Sequence, residues 1–480
     1  MKSNQNLKIQ HIPHISIFPN DKKMKNLIAY IFLLISLSSC KLLPDAIKAS
    51  GSEEVKLSQF EKAGYCDLLI AKDGTYHTVF LEKPDFGKPV FVYYSTSSNK
   101  GKSWSAPVTI SNDGTGNGSA IPRLIQDGSG TIYAIWKRYG SSDKSQYPIA
   151  ETTLEGTGGY NVGTLFYAVL NGSAFGKPIM LASKELMQVS WFPTLDNVGK
   201  VHVVWSQVSD ETFKNRWNNF WWYADLITEA TLNGGSFGNF KDYSTPGKPQ
   251  YQGGPPPTLG FQNLRGYHDK QNKLRFIGEF VLDNVKNIFY FNGTKSEIIY
   301  QYAKYQEGNT FNNPAELLYD EKGNDHIIFR PPASTLESEQ IWDYEVASRK
   351  TNVLASIQKS GVKIQSFQAN QGSNGEIAVM IQVGGLSESN EAYGFFYQNG
   401  KWQTKGLSQN ASKDTFATSG NFYYDGYITA ITSSTKSLTN FIDVAWDASG
   451  KKSMVMSVSA YFIGQGFSTN SPSIYFSKID

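Results

Sequence analysis

The sequence predicts an all-β fold, a β-propeller of six or seven four-stranded blades, of which seven fit the number of turns. A two-strand unit with a tight turn, Asp-x-x-Gly in its clearest form, recurs along the chain, with 51 to 73 residues between successive turns. The strands on either side are rich in β-branched and aromatic residues, which favour a pleated sheet. A small sheet cannot bury both of its faces alone, so a period of this length indicates sheets that stack around an axis.

The clearest unit is Pro193–Trp205, which turns at Asp196–Gly199. Six further units follow the same pattern of strand, turn and strand. The turns predicted for the seven units end at Gly74, Gly130, Gly199, Asn272, Gly323, Gly375 and Gly426.

The last blade has to close the ring. Asp447–Gly450 comes about half a period after Gly426, and we expect it to form the outer hairpin of that blade. Closure requires both ends of the propeller in one blade, with Glu54–Leu57 or Ser473–Phe476 as the closing strand.

One hairpin carries a motif of a known family. The strand Val90–Ser95 runs into Ser97–Trp104, which reads Ser-Ser-Asn-Lys-Gly-Lys-Ser-Trp. The pattern resembles the Asp-box (BNR) hairpin of sialidases and related propellers, with Asn99 in the place of Asp. The resemblance implies a propeller of the sialidase-like superfamily over about residues 65–480, without assigning an enzyme subgroup. In such a hairpin the polar side chain bonds the turn and the aromatic ring packs beneath it, so the motif serves folding.

The N-terminal residues have the composition of an export signal. Lysines at 22, 23 and 25 precede 11 largely apolar residues, 27–37, a run too short to span a bilayer. It leads to Ser38-Ser39-Cys40, which resembles the bacterial lipobox. We therefore expect residues 1–39 to be a cleaved lipoprotein signal peptide, with Met24 as an alternative start.

This signal sets the expected domain organisation and location. Residues 40–62 are expected to be a lipidated N-terminus and tether, and residues 63–480 the propeller domain. Lipid on Cys40 would anchor the protein in the bacterial cell envelope. Because Lys41 follows the cysteine, resemblance to diderm lipoproteins indicates the outer membrane.

Charge and cysteine content exclude some functions. The chain has 45 basic and 42 acidic residues, but removal of residues 1–39 leaves 40 against 41. The mature chain is thus near neutral, and we expect no nucleic-acid partner. Cys66 is the one cysteine besides Cys40, so no internal disulfide is expected, and we interpret it as a small buried apolar residue.

No metal or cofactor is expected from the sequence. Motifs of zinc hydrolases, P-loop proteins, nucleophile-elbow hydrolases and calcium loops do not occur in it. His77, His202 and His326 stand at one position of the repeat, where sheet packing explains them better than a ligand cluster does.

Charged residues near strand ends are the candidates for catalysis. Resemblance to sialidases implies three arginines for a substrate carboxylate, a Tyr–Glu pair and an Asp acid/base, but the leading Arg-Ile-Pro motif does not occur here. The candidates for an acid/base and carboxylate-binding set are Asp67, Arg123, Arg265, Glu279 and Arg330.

Long insertions are the candidates for binding. They occupy residues 137–162, 206–220 and 244–262, and we expect them on the rim opposite the turns. Within the second insertion, Arg216 and Trp217 are the predicted ligand contacts, because sugar rings stack on aromatic faces and hydrogen-bond to polar neighbours.

Three hypotheses of function follow. The first is a cell-envelope lipoprotein whose propeller binds glycan or another extracytoplasmic ligand on its loop rim, as a monomer. The second is an exo-acting glycoside hydrolase of sialidase type, or a lyase. The third is a protein-binding scaffold in envelope assembly.

Overall fold

The computed structural model describes the greater part of the propeller domain. The described residues are 55–59, 63–83, 89–112, 119–139, 163–181, 190–207, 209, 224–233, 235–247, 260–282, 285–304, 315–331, 339–357, 362–372, 375–385, 391–406, 422–424, 428–430, 435–462 and 473–479. All belong to the second of two units, residues 45–480, so the predicted signal peptide and Cys40 lie outside them. Within these ranges every regular element is a strand, and no helix is long and apolar enough to cross a membrane.

The first half of the described chain forms three sheets, after a short strand β1 (Val55–Lys56). Sheet 1 contains β2 (Ala63–Ile70), β3 (Tyr76–Glu82), β4 (Phe91–Ser97) and β5 (Val108–Thr109). Sheet 2 contains β6 (Ser119–Gln126), β7 (Ile132–Tyr139), β8 (Gly163–Asn171), β9 (Ala174–Phe175) and β10 (Ile179–Met180). Sheet 3 contains β11 (Trp191–Leu195), β12 (Val201–Gln207), β13 (Leu226–Asn233) and β14 (Ser236–Tyr243).

The second half forms four more sheets and one separate hairpin. Sheet 4 contains β15 (Gln262–His268), β16 (Leu274–Leu282), β17 (Val285–Phe291) and β18 (Ser296–Lys304). Sheet 5 contains β19 (Glu316–Tyr319), β20 (Asp325–Phe329), β21 (Glu339–Glu345) and β22 (Lys350–Ile357). Sheet 6 contains β23 (Val362–Gln371), β24 (Ile377–Gly385), β25 (Glu391–Gln398) and β26 (Lys401–Gly406). The hairpin is β27 (Phe422–Tyr424) with β28 (Ile428–Ala430), and sheet 7 contains β29 (Thr435–Trp446), β30 (Lys452–Phe462), β31 (Ser473–Ile479) and β1.

The seven sheets are antiparallel, and their strands follow one another in chain order with two exceptions. In sheet 7, β1 lies beside β31, and in sheet 2 both β9 and β10 pair with β8. The first strands contact one another in a closed cycle, β2 with β6, β6 with β11, and so on to β29 with β2. Sheets that radiate from a ring of first strands are the architecture of a β-propeller, and the predicted fold class is confirmed. In sheet 7, β1 pairs with β31 through Val55 and Phe476, so both predicted closing stretches share this sheet.

The turn between the first two strands has the same form in every sheet. The N–H of its last residue donates to the carbonyl three residues earlier, and that last residue has a positive φ. The turns are Ala71–Gly74, Asp127–Gly130, Asp196–Gly199, Asp269–Asn272, Asp320–Gly323, Gly372–Gly375 and Asp447–Gly450. Six of them end at the predicted residue.

The seventh turn was predicted at the wrong place. Asp447–Gly450 joins β29 to β30, so it is the inner turn of sheet 7 and not an outer hairpin. Gly426 is outside the described residues, and in the chain it comes between β27 and β28, which pair as a separate hairpin. Side-chain hydrogen bonds stabilise the turn at Asp447–Gly450. Asp447 Oδ1 accepts the N–H groups of Ser449 and Lys451, as in an Asx turn.

Apolar clusters lie between neighbouring sheets. Trp136 of sheet 2 packs against sheet 1, and Trp205 of sheet 3 packs against sheet 2, each only 1% exposed. Burial of a side chain of this size contributes about 3 kcal/mol. Phe476 of sheet 7 packs against sheet 1 in the same way. The core is therefore a series of layers between sheets, and each sheet depends on both of its neighbours.

The Asn99 hairpin joins β4 to β5 and has the geometry expected of its motif. Asn99 Oδ1 accepts the N–H of Ser103 at 2.9 Å, and Gly101 has φ +81°. The indole of Trp104 donates to the Gly101 carbonyl and packs on Phe476, with ring centroids 5.1 Å apart. This hairpin thus stabilises the contact between sheet 1 and the closing sheet.

Candidate functional site at the first-strand ring

One side chain from each first strand occupies the same place in the repeat, seven residues before the end of the turn. These seven residues, which we call the first-strand ring, each pair across the sheet with an apolar residue of the second strand. The ring consists of Asp67, Arg123, Phe192, Arg265, Glu316, Gln368 and Asp443. Five of its members carry an ionisable group, which is unusual for positions that face into a stacked core.

Asp67 and Arg123 form one ion pair of the ring. Arg123 donates to Asp67 Oδ1 at 2.9 Å, and the N–H of Leu124 donates to Asp67 Oδ2 at 2.6 Å. Although burial disfavours its charge, Asp67 raises the pKa of Arg123. The Arg123 side chain stays 26% exposed, so part of its guanidinium faces solvent.

Arg265 and Glu316 form the second ion pair, between sheets 4 and 5. Arg265 Nε lies 3.0 Å from Glu316 Oε2, and a second guanidinium nitrogen donates to the Leu264 carbonyl. Burial raises the pKa of the Glu316 carboxyl, while Arg265 and Arg123 oppose that rise. Glu316 therefore responds to both arginines, although they belong to sheets 4 and 2.

Asp443 is the most deeply buried carboxyl of the ring, at 5% exposure. Its Oδ2 accepts the N–H of Leu68 at 2.6 Å, and its Oδ1 accepts the side-chain amide of Asn370. Burial first, and then the nearby negative charge of Asp67, raise the pKa of Asp443 to about 7. This group therefore keeps a proton close to neutral pH.

Three first strands bulge at one place, two residues before the ring. The residues at the bulges are Tyr65, Ile121 and Asn263, with φ of +41°, +49° and +52°. Each coincides with a shift in the register of its strand pair. Such a conformation costs about 1 kcal/mol or more for a residue with a Cβ, and bulges beside a site redirect side chains.

Tyr65 is the aromatic residue associated with both arginines. Burial raises the pKa of its hydroxyl, and the positive charges of Arg123 and Arg265 pull that pKa back down. Tyr65 is 41% exposed, the most of any residue in this group. Together the tyrosine and the two arginines present a partly exposed cationic and aromatic surface at the start of the first strands.

Glu279 and Arg330 stand seven residues after the end of the turn, a position that they share with Lys137. Glu279 Oε2 contacts Lys286 Nζ at 2.7 Å and accepts the amide of Asn263 at 2.7 Å. Burial lowers the pKa of Lys137 to about 7. Arg330 directly follows β20 and is half-buried.

The structure places the predicted candidates in two groups. Asp67, Arg123 and Arg265 belong to the first-strand ring, and Glu279 reaches it through Asn263. Arg330 belongs to the second-strand position, directly after β20.

Sequence reasoning missed Tyr65, Glu316 and Asp443. Glu316 and Asp443 could have been found, because they stand at the same repeat position as Asp67, Arg123 and Arg265. The positive φ of Tyr65 could not, because no sequence pattern indicates it.

The predicted binding residues Arg216 and Trp217 lie outside the described residues. The described strands nevertheless fix where two insertions begin and end, since β7 joins β8 and β12 joins β13 at the end opposite the turns. The first strands also begin at that end. The insertions therefore start from the same side as the first-strand ring.

The other polar features lie at the turn end of the strands. A cavity of ≈ 830 Å³ beside the turns of sheets 1 and 2 has Asp73, His77 and Gln126 among its lining residues. One group among the described residues has the side chains of a metal site, namely His202, Glu229 and His268. We place the candidate site at the ring, because the ring holds two arginines that are each ion-paired with a carboxylate. It also holds the two carboxyls whose pKa is raised, those of Glu316 and Asp443.

Comparisons with solved structures find only distant similarities. No family model matches the sequence, and no curated protein matches it. A Dyadobacter fermentans protein of unknown function is 12% identical, with 91% of this chain and 99% of the other covered and a TM-score of 0.41. The Penicillium chrysogenum α-L-arabinanase has the same values.

The intramolecular trans-sialidase of Ruminococcus gnavus is also similar. It is 9% identical, with 91% of this chain and 98% of the other covered and a TM-score of 0.39. Chains at this distance need not share an activity, so the function of this protein has to follow from its own residues.

Proposed function

We propose that the protein binds a glycan bearing a carboxylate, at the start of the first strands. The observation that carries the proposal is that two arginines of the ring, Arg123 and Arg265, each keep about a quarter of their side-chain surface exposed, while Tyr65, two residues before the ring in β2, is partly exposed as well. Planar guanidinium groups recognise carboxylates through paired hydrogen bonds, and an aromatic ring beside them suits the face of a sugar.

The ion pairs within the ring have a role in this proposal. Asp67 holds Arg123, and Glu316 holds Arg265, so each guanidinium is fixed before a ligand arrives. Fixed donors lower the entropic cost of binding. Both arginines keep about a quarter of their side-chain surface exposed, at 26% and 24%. They can therefore add a ligand carboxylate to the partners that they already have.

Titration calorimetry with sialosides, uronic-acid glycans and neutral glycans of equal size tests the proposal. We expect binding of the acidic glycans, weakened roughly 10- to 100-fold by Arg123→Gln or Arg265→Gln, since each removes charged hydrogen bonds. Arg349→Gln is the matched control, because Arg349 is 77% exposed on the β21–β22 turn. Equal affinity for neutral and acidic glycans, or equal loss in the control, contradicts the proposal.

A second candidate function is hydrolysis of a terminal sugar, with the same site as an exo-acting glycosidase of sialidase type. The specific observation is the combination of Tyr65 with Glu316, whose pKa burial raises, beside the two arginines. A tyrosine nucleophile with a carboxyl base is the sialidase variant of the two-carboxylate scheme. Release of free sugar from a fluorogenic glycoside, lost in Tyr65→Phe, would support it. Binding of the glycan without release of sugar would support the binding role alone. Absence of both binding and release would favour a scaffold for a protein partner.

We further propose that the protein is a monomeric lipoprotein of the outer membrane, with lipid on Cys40 and residues 41–62 as its tether. The support is the basic and apolar N-terminal sequence that ends at this cysteine. Metabolic labelling with a palmitate analogue is expected to mark the wild type and not Cys40→Ser. Equal labelling of both would exclude the lipid anchor.

A further inference from the structure

His202, Glu229 and His268 meet between sheets 3 and 4, near the turn ends of the strands. His202 lies on β12 and Glu229 on β13 of sheet 3, whereas His268 ends β15 of sheet 4. Glu229 Oε1 is 2.8 Å from His202 Nδ1 and 2.9 Å from His268 Nε2. The three side chains are between 4% and 11% exposed.

Two ring nitrogens lie within 3 Å of Glu229 Oε1, yet this buried oxygen has no well-directed hydrogen bond. A buried carboxylate oxygen without a hydrogen bond costs roughly 1–3 kcal/mol or more. Three ligand atoms that converge without a well-directed hydrogen bond among them are what a bound cation would explain.

The neighbouring contacts orient two of the three ligands. His202 Nε2 lies 3.5 Å from Asp196 Oδ2, and the Thr231 hydroxyl lies 3.2 Å from His202 Nδ1. The Asp196 contact fits a ring protonated at Nε2, so that Nδ1 carries a lone pair. The Thr231 hydroxyl can donate to that lone pair, and a bound ion would replace the hydroxyl as its partner. Glu229 Oε2 accepts the hydroxyl of Tyr243, which leaves Oε1 for the cluster. Outer partners of this kind fix the ligands of metal sites.

Histidines at the same repeat position provide an internal comparison. His77 Nδ1 bonds the Tyr94 hydroxyl at 2.7 Å, and His326 Nδ1 bonds Asp343 Oδ1 at 2.9 Å. Each is a lone histidine with one hydrogen-bonded partner, as the sequence analysis expects of this position. His202 differs because His268, from the next sheet, approaches to a ring-centroid distance of 4.4 Å.

We propose that His202 Nδ1, Glu229 Oε1 and His268 Nε2 bind a divalent transition metal ion, with Zn²⁺ as the best match. Two imidazoles and one carboxylate form a familiar zinc ligand set, in which water takes the fourth position. Zinc bonds of about 2.0–2.1 Å place tetrahedral ligands about 3.3 Å apart, so the contacts to Glu229 would open by about half an ångström.

The ion would link two sheets of the propeller. Its ligands come from both sheet 3 and sheet 4, so bound metal would resist their separation. Cys66 is the only cysteine among the described residues, so no disulfide can serve this purpose there. A buried metal is another cross-link open to an exported protein, and its binding energy adds to the stability of the folded state.

Metal binding is tested on the untagged full chain after treatment with a chelator. We expect uptake of about one Zn²⁺ at micromolar free metal, a Tm raised by several degrees, and a Co²⁺ visible spectrum typical of tetrahedral nitrogen and oxygen ligands. His268→Gln and Glu229→Gln should weaken binding at least about 100-fold. His326→Gln is the matched control, because it removes a histidine at the His202 repeat position but leaves the cluster intact.

Two results would overturn the proposal. One is a wild-type protein that takes up no Zn²⁺ under these conditions, and the other is equal uptake by wild type and by folded Glu229→Gln. X-ray absorption of the zinc-loaded wild type is independent of any variant. We expect two imidazole ligands there, and a spectrum without imidazole scattering would also overturn the proposal.

Discussion

Replacement of Asp443 by Asn should stabilise the protein at alkaline pH and change little in acid. In the folded protein burial and Asp67 raise the pKa of Asp443 to about 7, from an ordinary value of 3.8. The folded state therefore binds a proton that the unfolded state has lost between these two values. Stability falls as pH rises through that window, and above about pH 7 the folded protein bears the full cost of a buried charge.

The size of the effect follows from the shift. A difference of about 3 pKa units corresponds to about 4 kcal/mol at 1.36 kcal/mol per unit, which is an upper limit because the surroundings relax. The amide fits the site, since its oxygen can accept the N–H of Leu68. If the Asn370 side-chain amide rotates by 180°, its Oδ1, which has no other hydrogen-bond partner, can accept the NH₂ group of the new asparagine. We expect Asp443→Asn to be about 2–4 kcal/mol more stable than wild type at pH 8, and nearly equal at pH 4.5.

Urea unfolding followed by tryptophan fluorescence at pH 4.5, 6 and 8 measures this difference. Titrating groups distant from Asp443 cancel when the two proteins are compared at each pH. Asp447→Asn is a control of opposite sign, because hydrogen bonds from Ser449 and Lys451 outweigh slight burial and lower the pKa of Asp447. A difference between Asp443→Asn and wild type that stays constant with pH, or a less stable variant at pH 8, would refute the reasoning.

Two further predictions concern packing. Gly199→Ala should destabilise the protein at least about twice as much as Gly74→Ala, for which about 1–2 kcal/mol is expected. Both glycines have φ near +80°, but a Cβ at Gly199 would lie 2.4 Å from the Gly128 Cα, whereas one at Gly74 meets nothing within 4 Å. Equal losses of stability for the two variants in thermal unfolding would contradict this prediction. Cys66 should react with a thiol reagent only after unfolding, because burial raises the pKa of its thiol well above the ordinary value. Fast labelling of the native protein would contradict this prediction and show that the strand is accessible.

The sequence could predict the fold because local chemistry repeats with the sheets. Six of the seven inner turns were predicted at the right residue. Each of the six ends in Gly or Asn, the residue types that best tolerate the positive φ found there. The seventh was misplaced because Gly426 falls at the regular interval, while the true turn at Gly450 comes 75 residues after Gly375. A residue between β26 and β29 that mimics the period cannot be told from a true turn by spacing alone.

The candidate site was only half predictable. Asp67, Arg123 and Arg265 were predicted from charge and place, and the same alignment of repeats would have added Glu316 and Asp443. What the sequence could not indicate is which sheets face one another across the ring. The bulge at Tyr65 is likewise a property of backbone conformation, and no residue type encodes it.

The pairing of β1 with β31 determines when the protein can finish folding. Val55 and Phe476 lie more than 400 positions apart, so this contact is made only after nearly the whole polypeptide is available. Until then two sheet edges stay open, and open edges attract other strands. Removal of residues 473–479 would take β31 out of sheet 7, leaving β1 without its partner and β30 with an open edge.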